Sequence, residues 1–385
     1  MRADFRNRNC RGFCSGCFAD RRSVLKGMIA SALALCGDYV WSFESGETEL
    51  AKATRESLDA LARRQNVETL DKNGEPERRS FASAGSFGSG TELFGRDPGV
   101  AALCGLAFLA SGSLPGRGRY GRELERVIDY LLACAHNDKD APETYGLIAD
   151  LSGKGRKPTY SHGFATLFLS AIDRAETRDA AKAAVEFLVH TQNSEGGWRY
   201  EPKRVAVADL SVTTCQLSAL RAARDAGIHV PAETIADAER YIVSLQNDDG
   251  GFRYLTLAGP SGYSRTSAAI HALQASGERY SRAIERGFEY LEKIYPLDTS
   301  GVDETKKIEY WAYGQFYAAL AYWRGARDEE TKSRAERFFE RLTREALAKR
   351  GVDGLWRSSV STEAETAFIL CALLVPQEQT PFFLR

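Results

Sequence analysis

Residue types that bind metals or move protons occur near the middle of the chain. Asp209 and Cys215 stand six positions apart, and His162 and His271 supply imidazoles elsewhere. Zinc needs oxygen, sulfur and nitrogen ligands that converge at about 2.0–2.3 Å. Six helical residues turn through about 240°, so Asp209 and Cys215 do not share a helix face. A zinc site is therefore not predicted, and a packed, hydrogen-bonded side chain is the ordinary interpretation of His271.

Other signatures of catalysis or metal binding are weak or missing from the sequence. It contains no Gly-x-Ser-x-Gly, Gly-x4-Gly-Lys-(Ser/Thr) or His-Glu-x2-His motif. Glu363 and Glu365 are two positions apart, so on a helix they point in different directions. Asp248 and Asp249 precede Gly250 in a turn, where a solvated loop is the ordinary interpretation and Ca²⁺ ligation the alternative. We predict no metal and no cofactor.

Composition and charge exclude two functional classes. The 385 residues carry 51 Lys+Arg and 52 Asp+Glu, which gives a net charge of −1. A nucleic-acid-binding protein normally shows a basic excess, so no nucleic acid is expected as a partner. No apolar run reaches the roughly 18 residues that a membrane span needs, so no transmembrane segment is predicted. With 43% hydrophobic residues, the chain has ample material for a large buried core.

Two kinds of segment with helical periodicity alternate from about residue 50. The first kind is apolar on most sides, as expected of buried helices, and comprises Val100–Ser111, Gly163–Ile172, Val212–Ala226, Ser267–Ala275, Tyr313–Tyr322 and Glu365–Leu374. The second kind carries charges on one face, as expected at a surface, and comprises Leu50–Arg64, Arg122–Cys134, Ala180–Thr191, Thr234–Leu245, Arg282–Ile294 and Lys332–Ala348. Period-2 alternation is nearly absent. The pattern predicts an all-α fold in which an outer ring of helices covers an inner ring.

A short motif recurs in register with this alternation. Its two clear copies are Gln192, Gly196, Gly197 and Trp198, and then Gln246, Gly250, Gly251 and Phe252, 54 positions later; a worn copy ends at Trp356 and another begins at Gln65. Glycine ends a helix in the left-handed conformation without steric cost, and a following aromatic can pack back on the last turn. We expect the glutamine amide to tie the end of an outer helix to the start of the next inner helix. The motif is therefore interpreted as structural.

The same Gln-x3-Gly-Gly-(Trp/Phe) pattern resembles the repeats of squalene and hopene cyclases and of protein prenyltransferase β-subunits. The resemblance covers residues 50–375 and is closest to the bacterial prenyltransferase/squalene oxidase repeat proteins. It implies an α/α toroid (an α6/α6 barrel) of six helical hairpins whose parallel inner helices enclose a central cavity. We accordingly assign residues 49–385 to one toroid domain.

The resemblance also shows what has been lost. Cyclases of this family protonate an alkene or epoxide with the middle carboxylic acid of Asp-x-Asp-Asp-Thr. The corresponding stretch here runs from Asp209 through Ser211 to Thr213, so only the first Asp and the Thr persist. Because a serine hydroxyl is far too weak an acid for this step, conventional polyene cyclisation is not expected.

Parallel inner helices would bring their N-termini together at one mouth of the ring. Helix dipoles and free amides favour an anion at such a place. Our catalytic candidates there are Asp209, His162 and Tyr263, and our ligand-binding candidates are Tyr160, Arg265, Tyr310, Trp311 and Glu363. The alternative is that Asp209, Ser161 and Thr362 are plain helix caps.

An apolar cavity with a polar rim suits an isoprenoid diphosphate or another amphiphile. We therefore interpret the chain as a toroid that binds an isoprenoid- or lipid-like molecule, or a protein partner, without the conventional acid motif. The alternative is an active transferase, isomerase or lyase that acts on an isoprenoid substrate in the central cavity.

Residues 1–48 differ from the rest of the chain. The run from Arg21 and Arg22 to Lys26 precedes a short apolar stretch that ends at Cys36, and it resembles a twin-arginine export signal. We expect export to the periplasm or outside the cell, with an unprocessed tail on a cytoplasmic protein as the alternative. Three nearby cysteines, Cys10, Cys14 and Cys17, are interpreted as part of this tail rather than as a metal site.

Overall fold

The computed structural model describes residues 48–67, 84–88, 96–151, 157–277, 281–298 and 308–379. Within these ranges the chain forms twelve α-helices and isolated β-bridges but no strand, which confirms the all-α prediction. The outer helices are α1 (Glu49–Ala62), α3 (Gly121–Ala133), α5 (Ala175–Thr191), α7 (Ala232–Ser244), α9 (Arg282–Ile294) and α11 (Glu329–Lys349). The inner helices are α2 (Pro98–Ala110), α4 (Pro158–Ile172), α6 (Leu210–Asp225), α8 (Tyr263–Ser276), α10 (Trp311–Gly325) and α12 (Thr362–Leu374).

Burial follows the hydrophobic pattern that distinguishes the two sets. Every residue of α2 is buried, whereas α9 buries a single stripe that includes Ile284, Phe288 and Leu291. Several inner helices begin earlier than the sequence pattern suggested: α8 begins at Tyr263 rather than Ser267. The polar residues of a first helical turn interrupt the apolar run, so periodicity alone misses that turn.

The inner helices form a closed ring of parallel neighbours. Each inner helix packs against the next, and α12 packs against α2. The starts of neighbouring helices are hydrogen-bonded, since the Ser161 hydroxyl donates to Asp97 Oδ2 over 2.8 Å. Their ends meet as well, since Gln274 Nε2 donates to the Ala321 carbonyl over 3.2 Å. The α/α toroid that the resemblance implied is confirmed.

Polar contacts join the first hairpin to the last. Arg64, just after α1, donates from Nε to Glu363 Oε1 of α12 over 2.6 Å, and the Glu363 side chain is only 3% exposed. Arg350, just after α11, binds the Glu56 carboxylate of α1 over 3.0 Å. These pairs lie between residues nearly 300 positions apart in the chain.

The glutamine of the repeat motif ties two outer helices together. Gln192 Nε2 donates to the Gly196 carbonyl and to the Thr234 carbonyl of α7, both over 2.8 Å. Gln246 Nε2 bonds Gly250 and the Ala283 carbonyl of α9 in the same way. Our expectation of a bond to the next inner helix was therefore wrong. The reason is that the loop that contains the motif packs directly against the next outer helix, where Gly196 lies close to the Asp237 carbonyl of α7.

The glycines of the motif are required by both conformation and space. Gly196 and Gly250 have φ angles of +92° and +87°, in the left-handed region. A Cβ at either position would lie 2.4 Å from a carbonyl oxygen of the next outer helix, that of Asp237 or Arg286. The Trp198 indole then packs back, and its Nε1 donates to the Leu188 carbonyl of α5 over 2.9 Å.

Large aromatic side chains occupy the axis of the ring. The Tyr313 ring of α10 lies 5.8 Å from the Phe368 ring of α12, and its phenol lies beside Thr214 of α6 and Tyr160 of α4. Phe164 of α4 meets the same Phe368 ring at 5.8 Å. A side chain that touches helices on opposite sides must lie at the centre. The expected open cavity is therefore wrong at this depth, because α10 and α12 carry bulky rings where small residues would leave a hollow.

None of the helices that the structure describes combines the length and the apolarity needed to cross a bilayer. The predicted export signal, the cluster of Cys10, Cys14 and Cys17, and nearly all of the assigned 1–48 segment lie outside the described residues.

Candidate functional site

Asp209 is the N-cap of α6, but only half of its carboxylate is used for capping. Oδ1 accepts from the Val212 amide over 2.9 Å and from the Ser211 hydroxyl over 2.8 Å. Oδ2 is buried and has no hydrogen-bond partner, and the whole residue is 0% exposed. Buried polar atoms are normally paired, so a lone carboxylate oxygen marks a place where a ligand group or water would be stabilised. The cap interpretation explains one oxygen and leaves the other free.

Burial raises the pKa of Asp209 above its ordinary value. The Val212 amide and the Ser211 hydroxyl oppose this shift most strongly, followed by the Arg199 charge and the Tyr254 phenol. A carboxyl group in such surroundings holds its proton to a higher pH than an exposed aspartate does. The site can therefore present a carboxylic acid as well as a carboxylate.

Aromatic residues and a second carboxyl group surround the same mouth. Tyr160, Tyr313, Glu365 and Phe368 stand in the first two turns of their inner helices and are partly exposed there. The Tyr313 hydroxyl, like Asp209 Oδ2, is buried without a hydrogen-bond partner. Burial raises the pKa of Tyr313 and, more weakly, so does the charge of Asp209, which places the two groups within electrostatic reach.

Glu365 belongs to the last inner helix. Burial raises the pKa of its carboxyl group, while the Ser358 hydroxyl and the Ala312 backbone lower it. Phe368, one turn later, contacts rings from both α4 and α10. The sequence did not single out Tyr313 or Phe368, because helices that are apolar on all sides give no signal for the face that points to the axis. Glu365 was set aside because it and Glu363, two positions apart, point in different directions.

His162 lies between the two layers of helices rather than at the mouth. Its Nδ1 accepts from the Ile148 amide over 3.0 Å, and its Nε2 donates to the Ala184 carbonyl of α5 over 3.1 Å. The ring also meets Phe187 edge-on at 5.0 Å. Burial lowers the pKa of His162 to about 4, so the neutral imidazole is the native form. Both nitrogens are used by the scaffold.

Tyr263 likewise contacts the outer layer. Its hydroxyl donates to Gln315 Oε1 over 3.2 Å, and its ring packs against Tyr295 at 5.4 Å. Asp209, His162 and Tyr263 thus have different partners on different elements. Among the described contacts, the structure does not bring these three predicted catalytic residues together.

The predicted ligand-binding residues divide into two groups. Tyr160 faces the mouth, as described above. Arg265 donates to the Pro260 carbonyl over 3.1 Å, and Trp311 Nε1 donates to Glu345 of α11 over 3.3 Å, so both are engaged away from Asp209. Tyr310 is exposed, and Glu363 is held by Arg64. The Arg64–Glu363 pair lies in a polar depression of about 300 Å³, whose other lining residues are 358–362.

The zinc alternative finds no support in the described residues. Cys215 is buried, and the His271 nitrogens contact the Ser218 hydroxyl at 3.1 Å and Arg324 Nη1 at 3.3 Å. In the part of the chain that is described, no three His, Cys, Asp or Glu side chains are grouped as metal ligands would be.

Thr213, the other survivor of the cyclase motif, has a structural role. Its hydroxyl accepts the Trp198 amide over 3.1 Å. Thr266 and Thr366 accept the equivalent aromatic amides of Phe252 and Trp356 over 3.0 Å, and Thr266 does so although none of the four residues before it is acidic. The threonine therefore belongs to the repeat rather than to the acid site.

Comparisons with solved structures agree on the class of fold. An α-1,6-mannanase of Salegentibacter superposes with a TM-score of 0.57 and 10% identity over 85% of this chain and 100% of that one. The cellobiose 2-epimerase of Bacillus thermoamylovorans gives 0.53 and 12% identity over 84% and 98% of the two chains. At such low identity these likenesses show only that the fold is an α/α toroid.

Sequence comparisons show similarity to terpenoid cyclases over part of the chain. The profile of the squalene-hopene cyclase C-terminal domain matches residues 162–306. A drimenyl diphosphate synthase of Streptantibioticus cattleyicolor is 34% identical over 100 residues, which are 26% of this chain and 18% of the synthase. A squalene–hopene cyclase of Bradyrhizobium diazoefficiens is 28% identical over 183 residues, or 42% of this chain and 26% of the cyclase. These matches show that residues 162–306 are similar to the C-terminal domain of squalene-hopene cyclases, and the chain spans about a quarter or less of the two relatives' length.

Proposed function

We propose that this protein binds an isoprenoid- or lipid-like molecule at the mouth where the inner helices begin. The single observation that carries the proposal is the pair of unsatisfied polar atoms, Asp209 Oδ2 and the Tyr313 hydroxyl, beneath a partly exposed aromatic layer. An apolar site with a few convergent polar groups is the usual form of a small-molecule site.

The ligand would lie on the aromatic layer rather than inside a hollow. Tyr160, Tyr313 and Phe368 offer ring surface at the mouth, and a hydroxyl or other polar end of the ligand would satisfy Asp209 or Tyr313. Since these two atoms are buried, a small rotation of Tyr160 or Tyr313 has to accompany binding. The family match spans the segment that contains Asp209, which favours an isoprenoid over other apolar ligands.

A second candidate is an enzyme that acts on an isoprenoid substrate. The observation that favours it is the raised pKa of Asp209 together with its free oxygen, because a protonated carboxyl group can donate a proton to a bound alkene or alcohol. Ser211 occupies the position of the acid that the family's cyclases use, so any such reaction would depend on Asp209 itself.

Binding can be tested with farnesol and the full chain by isothermal titration calorimetry and native mass spectrometry. We expect saturable binding that weakens about tenfold in Tyr313→Phe, since one hydrogen bond is lost. The matched control is Tyr290→Phe on outer helix α9, which removes a phenol whose charged neighbours are Asp249 and Arg265 rather than Asp209, and it should bind as the wild type does. Absence of binding, or equal weakening in both variants, would contradict the proposal.

The two candidates differ in turnover. Prolonged incubation with farnesol or farnesyl diphosphate leaves the ligand intact if the protein only binds, whereas an enzyme yields products that disappear in Asp209→Asn. Native mass spectrometry of protein purified from its own source would show a retained lipid if the protein binds one. A bound partner protein in place of a lipid would instead support the alternative that the toroid binds another protein.

We also propose export through the twin-arginine-type segment. N-terminal sequencing of the periplasmic or secreted fraction should find a chain shortened beyond Lys26. A chain that still begins at Met1 and stays in the cytoplasm would support the alternative location.

A further inference from the structure

The side of α12 that carries Phe368 is open to solvent at first and then closes. Ala364, Glu365 and Phe368 are partly exposed. Cys371 and Ala372 are the neighbours of Phe368 one turn further along the helix, and both are 0% exposed. Phe368 is therefore the innermost residue on this side of α12 that solvent reaches.

The exposed stretch is shorter on α4 and α10, which supply the facing rings. Tyr160 and Tyr313 are the third residues of these helices and are partly exposed, whereas Phe164 and Tyr317, one turn further in, are 6% and 1% exposed. Phe368 is the seventh residue of α12. The mouth is therefore deeper beside α12 than beside α4 or α10. At a rise of 1.5 Å per residue, Phe368 lies about 9 Å below the first residue of its helix.

Three other rings hold the Phe368 side chain across the axis. Its ring lies 5.8 Å from Phe164 of α4, 5.8 Å from Tyr313 of α10 and 5.4 Å from Phe316 of α10. Such distances are typical of packed aromatic pairs. Helix α2 stands between α12 and α4 in the ring, so the contact between Phe368 and Phe164 spans the inside of the ring. The two rings together form a floor beneath the mouth.

Small side chains lie next to this floor on the α12 and α2 side. Cys371 and Ala372 follow Phe368 by one turn, and the Cys104 sulfur of α2 lies 4.0 Å from the Glu363 carbonyl of α12. Truncation of Phe368 to alanine would therefore leave a hollow on the order of 150 Å³, which is enough for an apolar group the size of benzene. An isoprene unit has five carbon atoms, so the hollow would hold one such unit.

We propose that Phe368 limits the chain length of the ligand. The inference rests on the proposed function and makes it more specific, because it names the size of the isoprenoid that the mouth can enclose. An extended isoprene unit is about half as long as the mouth is deep, so the native ligand has about two or three units and not more. Further units would remain in water above the aromatic floor.

The test is isothermal titration calorimetry of the full chain with geraniol, farnesol and geranylgeraniol, which have two, three and four isoprene units. In the wild type, the affinity should stop rising at farnesol or earlier. Phe368→Ala should move this limit up by one unit, and the alcohol one unit past the wild-type limit should gain about tenfold or more over the shorter one, because another five carbons are buried. Comparing alcohols within each variant separates this effect from the ring surface that alanine lacks.

Phe338→Ala is the matched control. Phe338 belongs to outer helix α11, is 0% exposed and packs against Tyr322 at 4.5 Å and Tyr295 at 6.3 Å. The change removes a ring of the same size between the two layers of helices, so the chain-length limit should stay that of the wild type. Phe368→Leu is the smaller truncation if Phe368→Ala does not fold, and urea midpoints show whether each variant is folded.

An unchanged limit in both Phe368 variants would overturn the proposal, as would an equal shift in Phe338→Ala, while farnesol binding by the wild type would leave the proposed function in place. A wild type that binds none of the three alcohols would reject the proposed function and this inference with it.

Discussion

His162 makes the folded protein sensitive to acid, and the size of the effect follows from its surroundings. The residue is 0% exposed, its Nδ1 accepts the Ile148 amide, and burial lowers its pKa from 6.5 to about 4. The unfolded chain binds a proton near pH 6.5, whereas the folded protein resists it until about pH 4. Stability is therefore complete above pH 6.5 and is lost as the pH falls through that window.

One pKa unit corresponds to about 1.4 kcal/mol, so the loss from His162 is about 2 kcal/mol at pH 5 and about 3 kcal/mol at pH 4. A whole domain is stable by only about 5–15 kcal/mol, which makes this loss measurable. His271 acts in the same direction, because burial and the charges of Arg324 and Arg221 lower its pKa as well. The His162 contribution has to be isolated by mutation.

The assay is urea unfolding at pH 7.5 and pH 5 for the wild type, His162→Gln and His190→Gln. His162→Gln should be less stable at pH 7.5 because it disturbs two buried hydrogen bonds, yet it should lose about 2 kcal/mol less than the wild type between the two pH values. His190 is exposed at the end of α5, so His190→Gln should keep the wild-type loss. An equally steep loss in His162→Gln would refute the burial of a neutral imidazole at this position.

Two further predictions concern the repeat motif, and both are checked by the urea midpoint. Thr213→Val should cost about 1–3 kcal/mol because it leaves the Trp198 amide buried and unpaired, whereas Thr213→Ser keeps the hydroxyl and most of the stability; equal stability of the two variants would contradict the role given to Thr213. Gly250→Ala should cost about 2 kcal/mol or more, because it combines a left-handed backbone with a Cβ 2.4 Å from the Arg286 carbonyl. Gly277→Ala, whose Cβ would meet nothing within 4 Å, should cost less, and the reverse order would show that close approach is not the reason for glycine at Gly250.

The layers of the fold could be predicted because they depend on the periodicity of apolar residues. One-sided segments such as that of α9 became outer helices, and segments apolar on all sides such as that of α2 became inner ones. The motif glycines could be predicted from their required backbone conformation. The partner of Gln192 could not, since a donor amide specifies that a carbonyl is needed but not which helix supplies it.

The site was predicted only in part, because the sequence identifies polar residues but not the groups that surround them in the folded protein. Asp209 was selected because it begins the stretch that corresponds to the cyclase acid motif, and its free oxygen is visible only once the structure shows what surrounds it. His162 was also predicted to be catalytic, but both of its ring nitrogens are hydrogen-bonded to backbone groups of other segments. The filling of the axis by aromatic rings could not be predicted from the sequence. Tyr313 and Phe368 belong to helices that are buried on nearly every face, so the sequence does not indicate which residues point to the axis.

The most direct test of the proposed ligand site is photoaffinity labelling with an isoprenoid alcohol that carries a diazirine on its chain, followed by peptide mapping of the full chain. Label should appear on peptides that contain Tyr160, Tyr313 or Phe368, and excess farnesol should prevent it. Label confined to the outer helices, or label that farnesol does not displace, would show that the mouth of the inner ring is not where the molecule binds.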